Sequence, residues 1–169
     1  MDRPPDDFDE YVRARTPALI RTAYLLTGDQ HRAEDLVQDA LIKTYRAWNR
    51  LAHSNPDAYT RKVIYHLNIS RWRRNRPAEI STEHPPDGAR GPDEAARSVN
   101  RLALRRALDQ LAPRQRAVIV LRYFEDATEG EIAEILGVSV GTVKSTASRA
   151  LVKLRAVAPY LLDMEGVSR

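Results

Sequence analysis

The sequence predicts an all-α protein made of two small helical domains joined by a flexible linker. Apolar residues recur at helical spacing through most of residues 8–76 and 95–158. Between them, residues 77–94 are rich in proline and glycine and poor in large apolar side chains. The weak alternation over residues 117–123 fits a helix better than a strand. We therefore expect one helical domain on each side of a linker, the second opening at Asp93 or Ser98.

Composition narrows the classes of function. The 169 residues carry a formal net charge of +4, which weakly favours a polyanionic partner. The absence of cysteine excludes disulfides, cysteine-based zinc sites and thiol nucleophiles, and the four histidines are scattered. The acidic N-terminus lacks the apolar core of a signal peptide, and no apolar run approaches the roughly 18–20 residues that span a bilayer. We expect a cytoplasmic protein with no cofactor, no metal site and no membrane insertion.

Two turns divide the first domain into helices. Thr27-Gly28-Asp29 and Ser54-Asn55-Pro56 contain the residue types that end helices. The helix between them buries a stripe made of Ala33, Val37, Ala40, Leu41, Thr44 and Trp48, and its far side carries Asp35, Gln38 and Asp39 around Ile42. This acidic face fits the docking of a basic, partly apolar partner. Acids near a helix start also simply favour the helix dipole, so both readings stand.

The helix over residues 61–76 is strongly basic and contains no acid. Val63, Ile64 and Leu67 give it a buried side, and Asn68 and Trp72 share a neighbouring flank. Asparagine offers a base edge both a donor and an acceptor. Tryptophan can stack on an unpaired base for roughly 1–3 kcal/mol. Arg71, Arg73 and Arg74 would neutralise phosphates. The alternative is a solvated basic face, with Trp72 in the core and Asn68 as a cap.

The second domain contains the pattern of a helix-turn-helix. Leu111-Ala112-Pro113 ends one helix and starts the next, because proline is tolerated at the first helical position. Thr128 and Glu131 form a capping box, Gly137 stands where a left-handed turn residue is needed, and Ser139 caps the following helix. The spacing of Ala133, Gly137 and Val143 is the one that a DNA-binding helix-turn-helix requires.

The last helix of this motif has two distinct faces. The predicted apolar stripe consists of Val140, Val143, Ala147, Ala150, Leu151 and Leu154, and the outward side carries Gly141, Thr142, Ser145, Ser148 and Arg149 with Lys144 on a flank. These outward residues are mostly small and none is acidic, so the helix can enter a major groove about 12 Å wide. Arg149 could bind guanine in bidentate fashion, and Lys144 suits a phosphate or a base edge. The alternative is a helical hairpin with a solvated basic face.

With these segments in place, the chain resembles an extracytoplasmic-function sigma factor of the sigma-70 superfamily, most like the compact actinobacterial sigma-E-like group. The resemblance rests on HRAEDLVQDALIKTYRAW, DAYTRKVIYHLNISRWRRNR and LAPRQRAVIVLRYFEDATEGEIAEILGVSVGTVKSTASRALVKLR. It implies that residues 8–76 are a region 2 domain that holds core RNA polymerase and opens the minus-ten element. Residues 95–158 would be a region 4 domain that reads the minus-thirty-five element as duplex, with the linker running toward the RNA exit path.

The resemblance also implies roles for individual residues. Asp35, Gln38 and Asp39 match the polymerase-docking motif. Asn68 matches the position that reads a flipped-out minus-ten base, and Arg71, Trp72, Arg73 and Arg74 follow it in the same helix. Lys144, Ser145, Ser148 and Arg149 match the minus-thirty-five readers, and Thr142 shares their outward face. Many relatives have an aromatic–leucine pair at Arg61-Lys62 and an aspartate or asparagine at Trp72, so minus-ten recognition departs here from the family pattern. The implied partners are core polymerase, promoter DNA and, for many members, an anti-sigma factor.

Two other classes of protein compete with this reading. An ordinary helix-turn-helix repressor or activator would bind DNA without polymerase, usually at a palindrome, and its first domain would sense a ligand or dimerise. A nucleic-acid enzyme would need paired carboxylates, a histidine–metal cluster or a phosphate loop, and none is evident. The sequence therefore favours a binding protein that initiates transcription and is not an enzyme.

Overall fold

The computed structural model describes residues 5–51, 53–74 and 92–159. In these residues it contains helices and no strand, which confirms the all-α class. In chain order the helices are α1 (Pro5–Thr27), α2 (Gln30–Ala47), a short 3-10 helix (Trp48–Leu51), α3 (Pro56–Arg74), α4 (Pro92–Asp109), α5 (Pro113–Tyr123), α6 (Glu129–Leu136) and α7 (Val140–Val157).

The turns predicted in the first domain end and start its helices. Gly28 adopts a left-handed φ of +71° between α1 and α2, and the Asp29 carboxylate accepts the backbone N–H of Arg32 at 2.8 Å to cap α2. Asn55 caps α3 by accepting the N–H groups of Asp57 and Ala58. Helices α1, α2 and α3 then pack together through a buried apolar core.

The helix-turn-helix forms as the sequence predicts. Thr128 Oγ1 accepts the N–H of Glu131, and the Glu131 carboxylate accepts the N–H of Thr128 at 2.8 Å. The same carboxylate also accepts the Thr128 hydroxyl at 2.7 Å. The two hydrogen bonds that it accepts, the one from the Thr128 backbone N–H first, hold the pKa of Glu131 below its usual range. Gly137 ends α6 with a φ of 66°, and Ser139 Oγ accepts the N–H of Thr142 to start α7. The capping box and the glycine turn therefore fix the angle at which α7 leaves α6.

Two details of the second domain differ from expectation. Val140 is 41% exposed and does not belong to the buried stripe of α7. Val140 is the first residue of α7, so no preceding turn of the helix covers its side chain. The buried stripe therefore begins at Val143. Helix α4 begins at Pro92, ahead of the predicted start at Asp93 or Ser98, so the last part of segment 77–94 is helical. The rest of that predicted linker lies outside the described residues.

The two halves of the chain share one apolar core. The cluster that contains Leu19, Leu36 and Ile64 of the first half also contains Val118 and Ile132 of the second. Helix α5 packs against α1 and α3, and α6 packs against α3. The helix-turn-helix thus lies directly on the three-helix bundle, in an arrangement that we call the closed arrangement.

Candidate nucleic-acid and polymerase interfaces

The outward face of α7 is presented to solvent. Lys144, Ser145, Ser148 and Arg149 are exposed and Thr142 is half-buried. The opposite face packs into the core through Val143, Ala147, Ala150 and Leu154. The structure therefore brings all five predicted minus-thirty-five residues to one accessible helix face.

Arg149 is folded back along its own helix. Its Nε donates to the Ser145 carbonyl at 3.2 Å, and its Nη2 donates to Ser145 Oγ at 3.4 Å. Within the described part of the chain no carboxylate pairs with it. These are weak, exposed hydrogen bonds that water can replace, so the guanidinium can turn outward toward a base edge at little cost.

Lys144 is engaged in an exposed ion pair. Its Nζ lies 3.6 Å from the Glu129 carboxylate of α6, which also pairs with Arg122 of α5 at 3.3 Å. The Lys144 side chain is 64% exposed. Such pairs contribute about 0–1 kcal/mol, so a phosphate can compete for this lysine.

The basic end of α3 carries the predicted minus-ten residues. Asn68 is half-buried, and Trp72, Arg73 and Arg74 are exposed. Trp72 is 41% exposed and Asn68 lies inside a helix that continues to Arg74, so the alternative of a core tryptophan and a capping asparagine is wrong. The indole is accessible for stacking.

The acidic face of α2 adjoins this basic helix. Asp35, Gln38 and Asp39 are exposed, and Ile42 beside them is 51% exposed. Asp39 forms an ion pair with Arg71 of α3. The side chain predicted to dock a protein and one predicted to bind DNA therefore neutralise each other in this structure, which the sequence did not indicate.

Glu125 joins the two halves of the chain. It lies in the turn between α5 and α6, and its carboxylate accepts a hydrogen bond from Thr22 of α1 at 2.6 Å. It also pairs with Arg61 of α3 at 3.2 Å, and Arg61 pairs in turn with Asp57. The Glu125 side chain is 8% exposed, so this ion pair is largely shielded from water.

Arg116 of α5 is a second link. Its buried guanidinium donates to the Leu25 carbonyl near the end of α1 and pairs with Asp109 of α4 at 2.8 Å. Burial lowers the pKa of Arg116, and the Asp109 carboxylate partly offsets this effect. A Cβ on Gly28 would lie 3.0 Å from Asp109 Oδ1 and 3.2 Å from Arg116 Nη2, so a side chain there would press on this ion pair, and the positive φ of Gly28 disfavours any other residue.

His66 is a third link, because its Nε2 lies 2.7 Å from the Ile135 carbonyl at the end of α6. Sequence reasoning missed all three linking residues. Arg116 did leave a signal, since it stands three and four residues before the buried Ile119 and Val120 and thus on the apolar side of α5. Nothing in the sequence pointed to Glu125 or His66, because a single polar residue in a turn or on a helix is usually exposed to solvent.

No group of three or more His, Cys, Asp or Glu side chains among the described residues could hold a metal ion. None of the described helices is long and apolar enough to cross a membrane.

Comparison with protein families gives two matches along the chain. The family described as sigma-70 region 2 matches residues 11–78, and that described as sigma-70 region 4 matches residues 101–154. The chain is 43% identical over 150 residues to the RNA polymerase sigma-E factor of Streptomyces avermitilis, covering 88% of this chain and 83% of that protein. It is 32% identical over 154 residues to the ECF RNA polymerase sigma factor SigE of Mycolicibacterium smegmatis, covering 88% of this chain and 60% of the relative.

Two solved structures are similar to the fold. One is the sigma factor RpoE of Bartonella quintana in complex with the anti-sigma factor NepR, with a TM-score of 0.69 and 26% identity over 91% of this chain and 98% of that one. The other is CnrH in complex with the cytosolic domain of CnrY, with a TM-score of 0.61 and 25% identity over 96% of this chain and 91% of that one.

Proposed function

Because the chain belongs to the extracytoplasmic-function sigma factors of the sigma-70 superfamily, which direct promoter-specific transcription initiation, we propose that it binds core RNA polymerase and reads two promoter elements through separate surfaces. The observation that carries this proposal is the separation of charge on its helices. An exposed acidic face lies on α2. The exposed end of α3 and the outward face of α7 are basic, and neither Arg61–Arg74 nor Val140–Val157 contains an acidic residue.

The polymerase-docking surface consists of Asp35, Gln38 and Asp39 around Ile42. Exposed carboxylates steer a basic partner toward the face, and an exposed isoleucine adds apolar area that a partner can bury. Both properties are present in the free chain, so docking needs no unfolding of α2.

The minus-ten surface is the end of α3. Asn68 would hydrogen-bond the edge of an unpaired base, Trp72 would stack on a base, and Arg71, Arg73 and Arg74 would hold the phosphates. Binding of exposed bases supplies the free energy that stabilises the open strand. Arg71 must exchange Asp39 for a phosphate, which links DNA binding to the docking face.

The minus-thirty-five surface is the outward face of α7. Arg149 would bind guanine in bidentate fashion, and Lys144 would contact a phosphate or a base edge. The small side chains of Thr142, Ser145 and Ser148 would allow the helix to enter the major groove. One arginine and one lysine form few phosphate contacts, so we propose that this surface acts when polymerase holds it against DNA.

The closed arrangement must open for both elements to be bound. The names of the elements imply a separation of roughly 25 base pairs, or about 85 Å at about 3.4 Å per pair. In the structure α6 contacts α3 through the 2.7 Å contact between His66 and Ile135, and α7 follows α6 directly. When extended, residues 75–91 can span at most roughly 60 Å, and the lengths of α3 and α7 add to that reach. The chain is therefore long enough to bridge the elements once the halves separate.

We further propose that the chain works in the cytoplasm, as a binding protein and not as an enzyme, and that an anti-sigma factor binds it. The relatives it resembles are sigma factors, and one similar solved structure is a sigma factor bound to an anti-sigma factor.

The experiment is transcription with purified components. Sigma-free core polymerase, a pool of genomic promoter fragments and the purified chain are mixed, and transcript starts are mapped. We expect starts that depend on the added chain and share upstream elements. If no start depends on it, and the chain instead shifts palindromic DNA in the absence of polymerase, it is an ordinary helix-turn-helix regulator.

A further inference from the structure

A cavity lies between α1 and the helices α4 and α5, where the two halves of the chain meet. Its volume is about 480 Å³, within the range of roughly 300–1,000 Å³ that small-molecule sites occupy. A cavity of this size can hold a small molecule.

The depth of the cavity is apolar. It is lined by the half-buried Ile20, Tyr24, Leu25 and Leu104 and the buried Leu108. These side chains come from both halves, since the first three lie on α1 and the last two on α4. A ligand that fills this space contacts both halves at once.

The charge around the cavity is positive. Four of its ten lining residues are arginines, and none is an aspartate or glutamate. Arg116 is already paired with Asp109. In the described part of the chain no carboxylate pairs with Arg21, Arg101 or Arg105, and the first two are exposed at the mouth. The site thus has an apolar interior and a cationic rim, and no described carboxylate neutralises Arg21, Arg101 or Arg105.

Arg105 gives an independent indication. Its Nη1 makes a long 3.4 Å hydrogen bond to the Tyr24 hydroxyl, and its guanidinium lies 5.9 Å from the centre of that ring. Its Nε is buried and has no acceptor among the described residues. A buried donor without an acceptor is destabilising, and folded proteins normally satisfy it. An oxygen of an anionic ligand would do so.

We propose that this cavity binds a small amphipathic anion, a carboxylate with an apolar tail or ring. The apolar part lies against Ile20, Leu104 and Leu108, and the carboxylate binds Arg101 and Arg105 by charge-assisted hydrogen bonds. Because the site is complete only when α1 and α4 are together, the ligand binds the closed arrangement and stabilises it by mass action.

The test uses the full purified chain with decanoate, below its micelle concentration, and decanol as the uncharged counterpart. Calorimetry gives the affinities and thermal unfolding gives Tm. We expect decanoate to bind about tenfold more tightly than decanol, or better, and to raise Tm. The double variant Arg101→Gln with Arg105→Gln should lose this preference, and Arg50→Gln, an exposed arginine outside the cavity, should keep it.

The proposal is wrong if the two probes bind with equal affinity, or if the double variant keeps the preference for decanoate. It is also wrong if decanoate gives neither a heat of binding nor a shift in Tm. If circular dichroism shows that the double variant is unfolded, Ile20→Trp replaces it. That substitution fills the cavity without touching the arginines, and undiminished decanoate binding in it would place the ligand elsewhere.

Discussion

Glu125 and Arg61 form an ion pair at 3.2 Å between the turn that leads into the helix-turn-helix and the helix that carries the predicted minus-ten residues. The carboxylate is largely buried and also accepts the hydroxyl of Thr22 at 2.6 Å. Together with Arg116 and His66, it fastens the second half of the chain to the first. The strength of these links sets how easily the two proposed DNA-binding surfaces separate.

Glu125→Ala should loosen the closed arrangement. The substitution removes the acceptor of the Thr22 hydroxyl and one of the two carboxylates that pair with Arg61, which costs about 1–3 kcal/mol of closed-state stability. The chain has no cysteine, so cysteines placed at the exposed Arg50 and Val152 can be labelled specifically and the distance between the halves followed by energy transfer. We expect lower transfer efficiency in the variant than in the parent. Glu134→Ala, an exposed acid on α6, is the control, and equal efficiency in all three proteins would show that Glu125 does not hold the halves together.

Tyr65→Phe should not destabilise the protein at neutral pH, although Tyr65 is fully buried. Its hydroxyl lies beside Glu125 without a hydrogen bond of normal geometry in the described part of the chain. Burial first, and then the negative charge of Glu125, raises the pKa of Tyr65 well above its ordinary value of 10.0. Because the pKa is higher in the folded state than in the unfolded state, burial of the neutral phenol contributes its full stability below about pH 10. That contribution is lost as the pH rises from about 10 toward the folded-state pKa.

Urea unfolding between pH 7 and pH 11 checks this expectation. The parent should lose stability steeply above about pH 10, and Tyr65→Phe should lose less. Tyr59→Phe, at a half-buried tyrosine of the same helix, should behave like the parent. If Tyr65→Phe lowers the free energy of unfolding at pH 7 by about 2 kcal/mol or more, the hydroxyl makes a stabilising hydrogen bond and this prediction is wrong.

Arg149→Ala should remove the preference for the minus-thirty-five element while leaving polymerase binding intact. Loss of a bidentate guanine contact costs about 1–3 kcal/mol of discrimination. The measurement is transcription from promoters with the native or a scrambled minus-thirty-five element. Lys153→Ala is the control, because Lys153 is also basic and on α7 but bonds Gln115 of α5. If Arg149→Ala weakens core binding instead, the face assignment of α7 is wrong.

Asp35→Ala with Asp39→Ala should weaken binding to core polymerase and leave duplex recognition by α7 unchanged. The single variant Asp35→Ala tests docking alone, since Asp35 pairs with no described residue. Asp39→Ala also releases Arg71, so we expect it to raise nonspecific affinity for single-stranded DNA at low salt. Fluorescence anisotropy measures both affinities, with Glu134→Ala as the control. Normal core affinity in the double variant would exclude this face as the docking site.

The surfaces could be predicted from the sequence because they depend on local rules. The capping box of Thr128 and Glu131, the turn at Gly137 and the outward position of Arg149 follow from spacing along single helices. The burial of Val140 was predicted wrongly for the same reason, since periodicity carries no information about what covers the first turn of a helix. The relation between α2 and α3 was also out of reach, because the pairing of Asp39 with Arg71 joins residues that are far apart in sequence.

The sequence by itself determined the all-α class, the order of the helices, the helix-turn-helix and the exposed faces with opposite charge. Only the tertiary structure decided that the two halves share a core, that Glu125, His66 and Arg116 link them, and that a cationic cavity lies between them. The physical reason is that periodicity and caps act over three or four residues. Contacts between halves depend instead on shape and charge that are brought together from distant parts of the chain.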